Sequence, residues 1–391
     1  MAIFEKEPIF IPKLQDQKIF EAGFVFPAVL MDASHVVWRP KAAKKVKESA
    51  GVFIVDPSTH CMLFNEAKGK ENFKKLSYPT NVQPEKIYSD SDFRRENVII
   101  PAVDNQIKMG ADIIIAPYFF AVDTDDIKFG INISMIAETI RYVEEKGIEK
   151  PIFVKIQIGN NVLCRPSIVN YIVDRYRDDF SDKIGGYFIS FDELDCKNAT
   201  EDTLGGLAYM SFQLSEGKDV IIQRIGPFGE IISSIGLTGF SSGLGDGESL
   251  VVKNLEKSPQ GWSNKVKKTY IPEVFDKVND EIVKKIDYKC SCAACQGSFP
   301  VGEQAKKQHF VHRKMEIMDA LSKLDRAQKI ALMEEKLTKA IKLAETYNRK
   351  FAIDLKTIHL KRWLNVLQLA KNWSYEKDDD ELDKLLQDLE K

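Results

Sequence analysis

Residues 152–158 have the sequence IFVKIQI, a short apolar run that is typical of a strand buried on both faces of a parallel sheet. Similar runs occur earlier and later in the chain: FVFPAVL (24–30), VFIV (52–55), DIIIA (112–116), GYFISF (186–191), VIIQRI (220–225) and a weaker one at 239–241. Helical segments separate these runs; in one of them an apolar face is formed by Ile133, Ile136, Ala137 and Ile140. The alternation predicts an α/β fold, and we favour a (β/α)8 TIM-type barrel in which the eighth strand is not located.

An open, doubly wound sheet is the alternative architecture for this alternation. No G-x-G-x-x-G or P-loop sequence follows the first strand, which weakens that alternative. We divide the chain into a barrel over residues 1–275 with a polar excursion at 65–97, a zinc-binding insert over 276–318 and a helical C-terminal extension over 319–391. Two sets of residues in the extension have helical spacing: Leu337, Ala340, Ile341 and Ala344, and later Leu382, Leu385, Leu386 and Leu389.

The composition is that of a soluble cytoplasmic protein. The chain has 391 residues, of which 44% are hydrophobic, and no apolar run approaches the ~20 residues that a membrane helix needs. The N-terminal sequence MAIFEKEP lacks the basic and apolar segments of a secretory signal. Three of the six cysteines are clustered, which favours a metal site in a reducing compartment over a disulfide framework.

The clustered cysteines form the motif Cys290-Ser-Cys292-Ala-Ala-Cys295, and His309 follows fourteen residues later. Three thiolates and one imidazole complete the closed tetrahedral site that is typical of structural Zn²⁺. His312 lies one helical turn from His309 and is the alternative fourth ligand. Three reduced cysteines without a metal are the alternative to this zinc site.

Polar residues occur where predicted strands end. Asp56 directly follows VFIV, Gln157 interrupts IFVKIQI, and Asp246 lies in a glycine-rich turn after residues 239–241. A barrel carries its chemistry at this rim, where a carboxylate suits general acid/base work and a buried amide binds the edge of a heterocycle. For each residue alone, a structural capping role is the alternative.

From about residue 24 to residue 318 the chain resembles the tRNA-guanine transglycosylase superfamily, whose members exchange a guanine in nucleic acid for a 7-deazaguanine base. The C-x-C-x-x-C motif and the HFVHR segment beginning at His309 are similar to the zinc-ligand segments of that family. FIVD, ending at Asp56, resembles the strand with the acid/base aspartate, and FVKIQIG resembles the strand whose glutamine, here Gln157, binds the guanine edge. ADIIIA at 111–116 resembles the strand before a substrate-binding aspartate, for which Asp123 is the nearest acid.

The chain departs from the family at several of these positions. DPST at 56–59 replaces Asp-Ser-Gly-Gly, and Ser190 with Phe191 replaces a pair of glycines. Ser241 stands where the family has its nucleophilic aspartate, so either Asp246 takes that role or the chemistry is altered or lost. These departures favour the branch that inserts 7-deazaguanines into DNA.

The resemblance implies a base exchange through a covalent glycosyl-enzyme intermediate, with DNA slightly favoured over tRNA as the substrate. It implies catalytic roles for Asp56 and Asp246, substrate-binding roles for Gln157, Asp123, Ser190 and Ser241, and a structural Zn²⁺ held by Cys290, Cys292, Cys295 and His309. A non-catalytic member of the fold that binds nucleic acid or protein, and an unrelated barrel enzyme with a zinc-stabilised lid, are the alternatives.

Nucleic acid would have to bind through local surface, because the net charge is −2. Residues 39–47 carry five cations and no acid directly after Trp38, and residues 253–268 carry five lysines around Trp262. Basic residues beside an exposed aromatic ring suit phosphate contacts and base stacking. A solvated helix face is the other interpretation of each lysine run.

Overall fold

The predicted runs form seven parallel strands, and an eighth strand at the N-terminus completes a (β/α)8 barrel in the computed structural model of the chain. The structure describes residues 3–4, 8–13, 25–78, 84–180, 182–244, 249–257 and 267–375. The barrel strands are β1 (Ile9–Lys13), β2 (Phe26–Asp32), β3 (Ala50–Asp56), β4 (Ile114–Ile115), β5 (Ile152–Gly159), β6 (Gly186–Asp192), β7 (Asp219–Gln223) and β8 (Gly239–Gly243). A separate antiparallel hairpin consists of β9 (Lys268–Ile271) and β10 (Asp276–Asn279).

The barrel closes between β3 and β4, which are the two ends of the hydrogen-bonded strand order β3-β2-β1-β8-β7-β6-β5-β4. At this junction Asp112 N donates to Phe53 O at 2.9 Å, and Phe53 N donates to the Asp112 carboxylate at 2.7 Å. The Asp112 carboxylate thus replaces one of the backbone acceptors that a paired strand would offer to β3, so the barrel is nearly closed.

Strand β1, with the sequence IFIPK, is the one that the sequence pattern did not locate. Proline lacks an N–H group and is rare in central strands, so Pro12 argues against a strand here. In the structure β1 pairs with β8 along five residues but with β2 only through Lys13 and Leu30. The sparse pairing with β2 accommodates the proline.

The helices surround the barrel and continue beyond it. They are α1 (Ala33–Trp38), α2 (Pro40–Glu48), α3 (Asn65–Lys68), α4 (Glu71–Lys74), α5 (Pro84–Ser89), α6 (Ser91–Arg94), α7 (Ile100–Lys108), α8 (Ile127–Glu145), α9 (Pro166–Phe180), α10 (Glu201–Leu214), α11 (Phe228–Ser233), α12 (Asp280–Lys285), α13 (Glu303–Ser322), α14 (Arg326–Phe351) and α15 (Ile358–Ala370). A π-helical turn over Arg95–Ile99 joins α6 to α7, and 3-10 turns occupy Thr59–Leu63, Asn160–Val162, Val252–Glu256 and Pro272–Val274. Within the described residues, no helix has the length and apolar character needed to cross a membrane.

Two of the predicted helical faces can be compared with the structure. In α8, Ile136 and Ile140 are buried as expected, whereas Ala137 is exposed because the buried face is centred on Met135 and Thr139. In α14 the predicted face is buried at Leu337, Ala340 and Ala344, and a capping box formed by Asp325 and Gln328 begins the helix. The second leucine set, at 382–389, lies outside the described residues.

The polar excursion predicted at 65–97 contains the four short helices α3 to α6, together with residues 79–83, which lie outside the described part of the chain. It follows β3 and leads back to β4 through α7. Its position directly after Asp56 places it at the carboxyl-terminal rim of the barrel.

Helix α13 joins the cysteine segment to the barrel wall. Its Phe310 packs against Phe10 of β1, with ring centroids 6.1 Å apart. Its Lys314 is fully buried and pairs with Glu230 of α11, which also accepts a hydrogen bond of 2.8 Å from the Tyr270 hydroxyl. The ammonium lies 4.1 Å from the centre of the Tyr270 ring, so the charge is enclosed by its ion pair and an aromatic face.

Replacing Lys314 by Met is expected to lower the free energy of unfolding by about 3–5 kcal/mol, because it leaves the Glu230 carboxylate buried without its counter-charge. The double variant Lys314→Met with Glu230→Gln should recover most of that loss, since neither charge remains. Urea denaturation of both variants and the wild type measures the difference. Equal destabilisation by the single and double variants would contradict a role for the ion pair itself.

Candidate active site and metal centre

The inside of the barrel is divided into an apolar layer and a polar layer. Successive residues of a strand point to opposite sides, so residues two apart share the interior. The apolar layer includes Ile9, Ile11, Leu30, Ile54, Phe153, Phe188 and Ile221. Further along the same strands, the interior-facing positions near the carboxyl ends carry polar side chains: Lys13, Asp32, Asp56, Lys155, Gln157, Ser190, Gln223 and Ser241. The barrel is therefore filled below and lined by polar side chains at its mouth, where barrel enzymes carry their sites.

Asp56, the predicted acid/base residue, is 1% exposed and pairs with Lys155 of β5 at 2.5 Å. Its other carboxylate oxygen accepts hydrogen bonds from the Tyr118 hydroxyl and the Ser58 amide, each at 2.8 Å. Burial opposes ionisation, but the charge of Lys155 outweighs it, and the pKa of Asp56 is lowered to about 2. Asp56 is therefore ionised at neutral pH and can accept a proton but has none to donate.

Lys155 interrupts the run that predicts β5, and no role was predicted for it from the sequence. Burial lowers the pKa of Lys155, and the charge of Asp56 opposes that change. The ammonium also lies 4.7 Å from the centre of the Tyr118 ring. The ion pair with Asp56 favours the protonated ammonium form of Lys155.

Asp32, at the end of β2, is a second carboxylate that the sequence pattern did not single out. It lies beside Asp56 in the strand register and pairs with Lys13 at 2.8 Å and with His35 at 3.5 Å. Burial opposes its ionisation, but Lys13 and His35 outweigh this and hold its pKa well below the usual range. Its side chain is 16% exposed, so it is easier to reach from the mouth than Asp56. The available signal was its position at the end of FPAVLMD, equivalent to that of Asp56 after VFIV.

Ser58 connects the two carboxylates. Its hydroxyl lies 3.2 Å from an Asp32 oxygen and 3.3 Å from an Asp56 oxygen. The residue has a left-handed backbone with φ of 52°, which is uncommon outside glycine and is found at functional sites. The DPST sequence at 56–59 thus builds a turn that brings one hydroxyl between two negative charges.

The opposite side of the mouth contains neutral polar groups that lack partners. Gln157, Ser190 and Gln223 are each at most 4% exposed. Among the described residues, no partner is found for the Gln157 carbonyl oxygen, the Ser190 hydroxyl or the Gln223 amide nitrogen. Gln157 pairs in register with Ser190, and Gln223 with Ser241, so the groups occupy neighbouring strands. Buried polar groups without partners are costly, which indicates that a ligand or water satisfies them.

Asp123 does not add to this polar layer. Asp123 pairs with Arg165 at 2.5 Å and accepts a hydrogen bond from Asn161 at 3.0 Å, and it makes no hydrogen bond to the interior groups named above. Although burial acts against ionisation, the hydrogen bond from Arg165 lowers the pKa of Asp123. Asp246 lies outside the described residues.

The predicted metal ligands converge on one point. The ligand atoms of Cys290, Cys292, Cys295 and His309 all lie within 4.8 Å of one another, and the four residues are buried. Nδ1 of His309 is 3.6 Å from Cys292 Sγ and 3.4 Å from Cys295 Sγ. Ligands that share a tetrahedral zinc ion are about 3.6 Å apart. The cluster can bind a metal ion, and its geometry is compatible with zinc.

The surroundings of the cluster orient the ligands. Nε2 of His309 lies 2.7 Å from the Tyr270 carbonyl, to which it donates when Nδ1 is the unprotonated ligand atom. Burial lowers the pKa of His309 and so favours the neutral imidazole. The Cys292 amide points at Cys290 Sγ at 3.4 Å and stabilises a thiolate there. His312, the alternative ligand, is not part of the cluster.

Metal analysis of protein never exposed to chelator is expected to give one zinc per chain. Cys292→Ala should remove most of the metal and lower the thermal stability, because metal binding and local folding are coupled. Cys164→Ala, which removes an exposed cysteine far from the cluster in sequence, is the matched control and should retain the metal. Well under one equivalent in the wild type would exclude the zinc site.

Comparison with known proteins assigns no family to this chain. No protein-family model matches it, and no curated protein matches it. The function is therefore inferred from the geometry of the barrel mouth and from the resemblance in its motifs.

Proposed function

We propose that the protein exchanges a guanine base in nucleic acid for a 7-deazaguanine base at the mouth of its barrel. The single observation that carries this proposal is the arrangement of unpartnered groups on β5, β6 and β7 facing an ionised carboxylate pair. A carbonyl oxygen, a hydroxyl and an amide nitrogen match the donor and acceptor edge of a guanine-like heterocycle. The ionised carboxylates suit the sugar, where positive charge develops when a glycosidic bond breaks.

The proposed reaction uses Asp32 as the nucleophile and Lys155 as the proton carrier. The Asp32 carboxylate forms a bond to C1′ while the bond from C1′ to guanine N9 breaks, and guanine leaves with a proton from Lys155. The incoming 7-deazaguanine then gives its N9 proton to the neutral Lys155 amine, and N9 displaces the carboxylate from C1′. Asp56 remains ionised throughout and stabilises the charged form of Lys155 that the N9 proton of the incoming base regenerates. Asp246, the nucleophile candidate from the resemblance, is tested beside Asp32 by trapping the glycosyl-enzyme in Asp32→Asn and Asp246→Asn variants.

The metal in this proposal is a structural Zn²⁺. Three thiolates and an imidazole suit zinc, and the four ligands leave no position for a substrate. The free thiols are compatible with the reducing cytoplasm in which we place the protein. The metal would hold the segment between β10 and α13 and take no part in the reaction.

The nucleic acid is proposed to bind the basic surface formed by α2, α4 and the exposed Trp38. Trp38 is 47% exposed, and Lys75, directly after α4, lies 4.5 Å from the centre of its ring. The exposed cations on this surface are Arg39, Lys41, Lys44, Lys45, Lys47, Lys70, Lys74 and Lys75. Because α1 and the excursion containing α4 follow the strands that end in Asp32 and Asp56, the part of the surface formed by Trp38 and α4 adjoins the mouth. In the second patch Lys253 pairs with Glu193, and Trp262 and Lys265 lie outside the described residues.

A non-catalytic binding protein is the second candidate function. Both oxygens of the Asp56 carboxylate are engaged, and Ser241 occupies the position of the family's nucleophile. On this view the charged pairs shape a pocket that binds a guanine base in nucleic acid without exchanging it. Binding without release of guanine by the wild type would favour this candidate.

Asp56→Asn is expected to slow guanine exchange by ~10²–10⁴-fold, because the amide cannot hold Lys155 in its charged form and proton transfer fails. The measurement is release of labelled guanine from tRNA and from duplex DNA. Asp319→Asn is the matched control, since Asp319 on α13 forms an exposed ion pair with Lys323, directly after the helix.

If Asp56→Asn does not fold, the double variant Asp56→Asn with Lys155→Met removes both buried charges and carries the test. Exchange at the wild-type rate in either folded variant would remove the Asp56 and Lys155 pair from the mechanism.

Reversing the charges of Lys44 and Lys45 to Glu should weaken nucleic-acid binding and reduce its salt dependence. Removing one phosphate contact reduces the steepness of the log–log salt dependence by about 0.9 for duplex DNA. The same reversal at Lys336 and Lys339 of α14 is the control for a general change in net charge. Equal effects of the two double variants would contradict a specific role for the α2 surface.

A further inference from the structure

Arg224 is a cation at the barrel mouth that the reaction above does not use. It follows Gln223, the last residue of β7, and is half-buried. Its guanidinium makes no hydrogen bond or ion pair with any described residue. Its backbone is fixed, since its amide donates to the Ser241 carbonyl at 2.8 Å.

The backbone of Arg224 is in the left-handed region, with φ of 62°. A side chain with a Cβ is unfavourable in this region, and such residues are concentrated at functional sites. Gly226, two residues later, also has a positive φ of 58°, so a tight turn leads from β7 into α11. The turn sets Arg224 immediately after the unpartnered amide of Gln223. Two neighbouring residues thus present hydrogen-bond donors without acceptors.

The positive charges around the mouth outnumber the negative charges among the groups named so far. Lys13 is paired with Asp32 and Lys155 with Asp56, which leaves the charge of Arg224 uncompensated among these groups. The guanidinium also acts on Lys155, whose pKa is lowered first by burial and, to a smaller extent, by the charge of Arg224. The positive charge of Arg224 therefore extends into the mouth, where an anion would be stabilised.

We propose that Arg224, together with one of the two N–H groups of the Gln223 amide, forms an anion subsite that binds an anionic oxygen group of the substrate, while the other N–H group faces the base edge. This inference rests on the proposed function, because it concerns the same mouth and names the chemistry of its ligand. A guanidinium offers a planar pair of donors that matches a phosphate or a carboxylate. The anionic group belongs either to a phosphate of the nucleotide or to a carboxylate substituent on the incoming base.

The test compares ligands that differ only in the anionic group, using calorimetry on the full chain. The pairs are guanosine 5′-monophosphate against guanosine, ribose 5-phosphate against ribose, and 7-carboxy-7-deazaguanine against 7-deazaguanine. Wild-type protein is expected to favour the anionic member of at least one pair by ~10–100-fold. Arg224→Gln should abolish that preference, and Arg224→Lys should restore part of it. Arg141→Gln, which removes an exposed ion pair with Glu138 on α8, is the control and should keep the preference.

The ligand pair whose difference in affinity depends on Arg224 identifies the source of the anionic group. Dependence in the phosphate pairs assigns the subsite to the nucleotide, and dependence in the deazaguanine pair assigns it to the incoming base. If ribose 5-phosphate binding depends on Arg224 while guanosine does not bind, the subsite stands and the proposed base exchange fails. If the wild type shows no preference for the anionic ligand in any pair, the inference is overturned. It is also overturned if a folded Arg224→Gln variant retains that preference, and in both cases the result does not depend on whether guanosine binds.

Discussion

Asp56 and Lys155 lie inside a barrel whose lower layer is apolar, and neither is stable there as an ion without the other. Moving a charge from water into a protein interior costs several kcal/mol, and a close partner of opposite sign must offset that cost. The contact at 2.5 Å does so, and the Tyr118 hydroxyl and the Ser58 amide satisfy the second carboxylate oxygen. Because the pair requires β3 and β5 to hold one separation across the interior, it constrains the shape of the mouth.

The same constraint accounts for the division of the mouth into two halves. Ser58 can lie between Asp32 and Asp56 because Lys13 and Lys155 offset the repulsion between the two carboxylates. The ion pairs at the mouth thereby involve β1, β2, β3 and β5, while the interior positions of β6, β7 and β8 at the mouth carry the neutral side chains of Ser190, Gln223 and Ser241. A ligand that spans the mouth meets ion pairs on one side and neutral hydrogen-bonding groups on the other, which is the contrast that a sugar joined to a heterocycle presents.

Local patterns predicted much of this structure, whereas contacts between distant segments escaped them. The apolar runs located seven strands and the spacing of Cys290, Cys292 and Cys295 indicated the metal cluster, because both signals lie within a few residues. The short strand β1 was missed because Pro12 obscures its pattern. Lys155 and Asp32 were missed for another reason, which is that the role of each depends on a partner in another strand. Lys155 pairs with Asp56, which is 99 residues away, and Asp32 pairs with Lys13 of β1. The choice between His309 and His312 likewise depends on the Tyr270 carbonyl, which belongs to another element.

Helix α13 connects the metal centre to the mouth by a direct chain of contacts. His309 reaches the cysteines from one side of the helix, while the adjacent Phe310 packs on Phe10 of β1. Strand β1 ends three residues later at Lys13, which neutralises Asp32. A metal that fixes the start of α13 therefore supports the strand that carries one of the four paired charges. The cysteine cluster can thus stabilise the charged half of the mouth without contacting a substrate. This is a physical reason why the metal site is closed by four protein ligands and lies outside the barrel mouth.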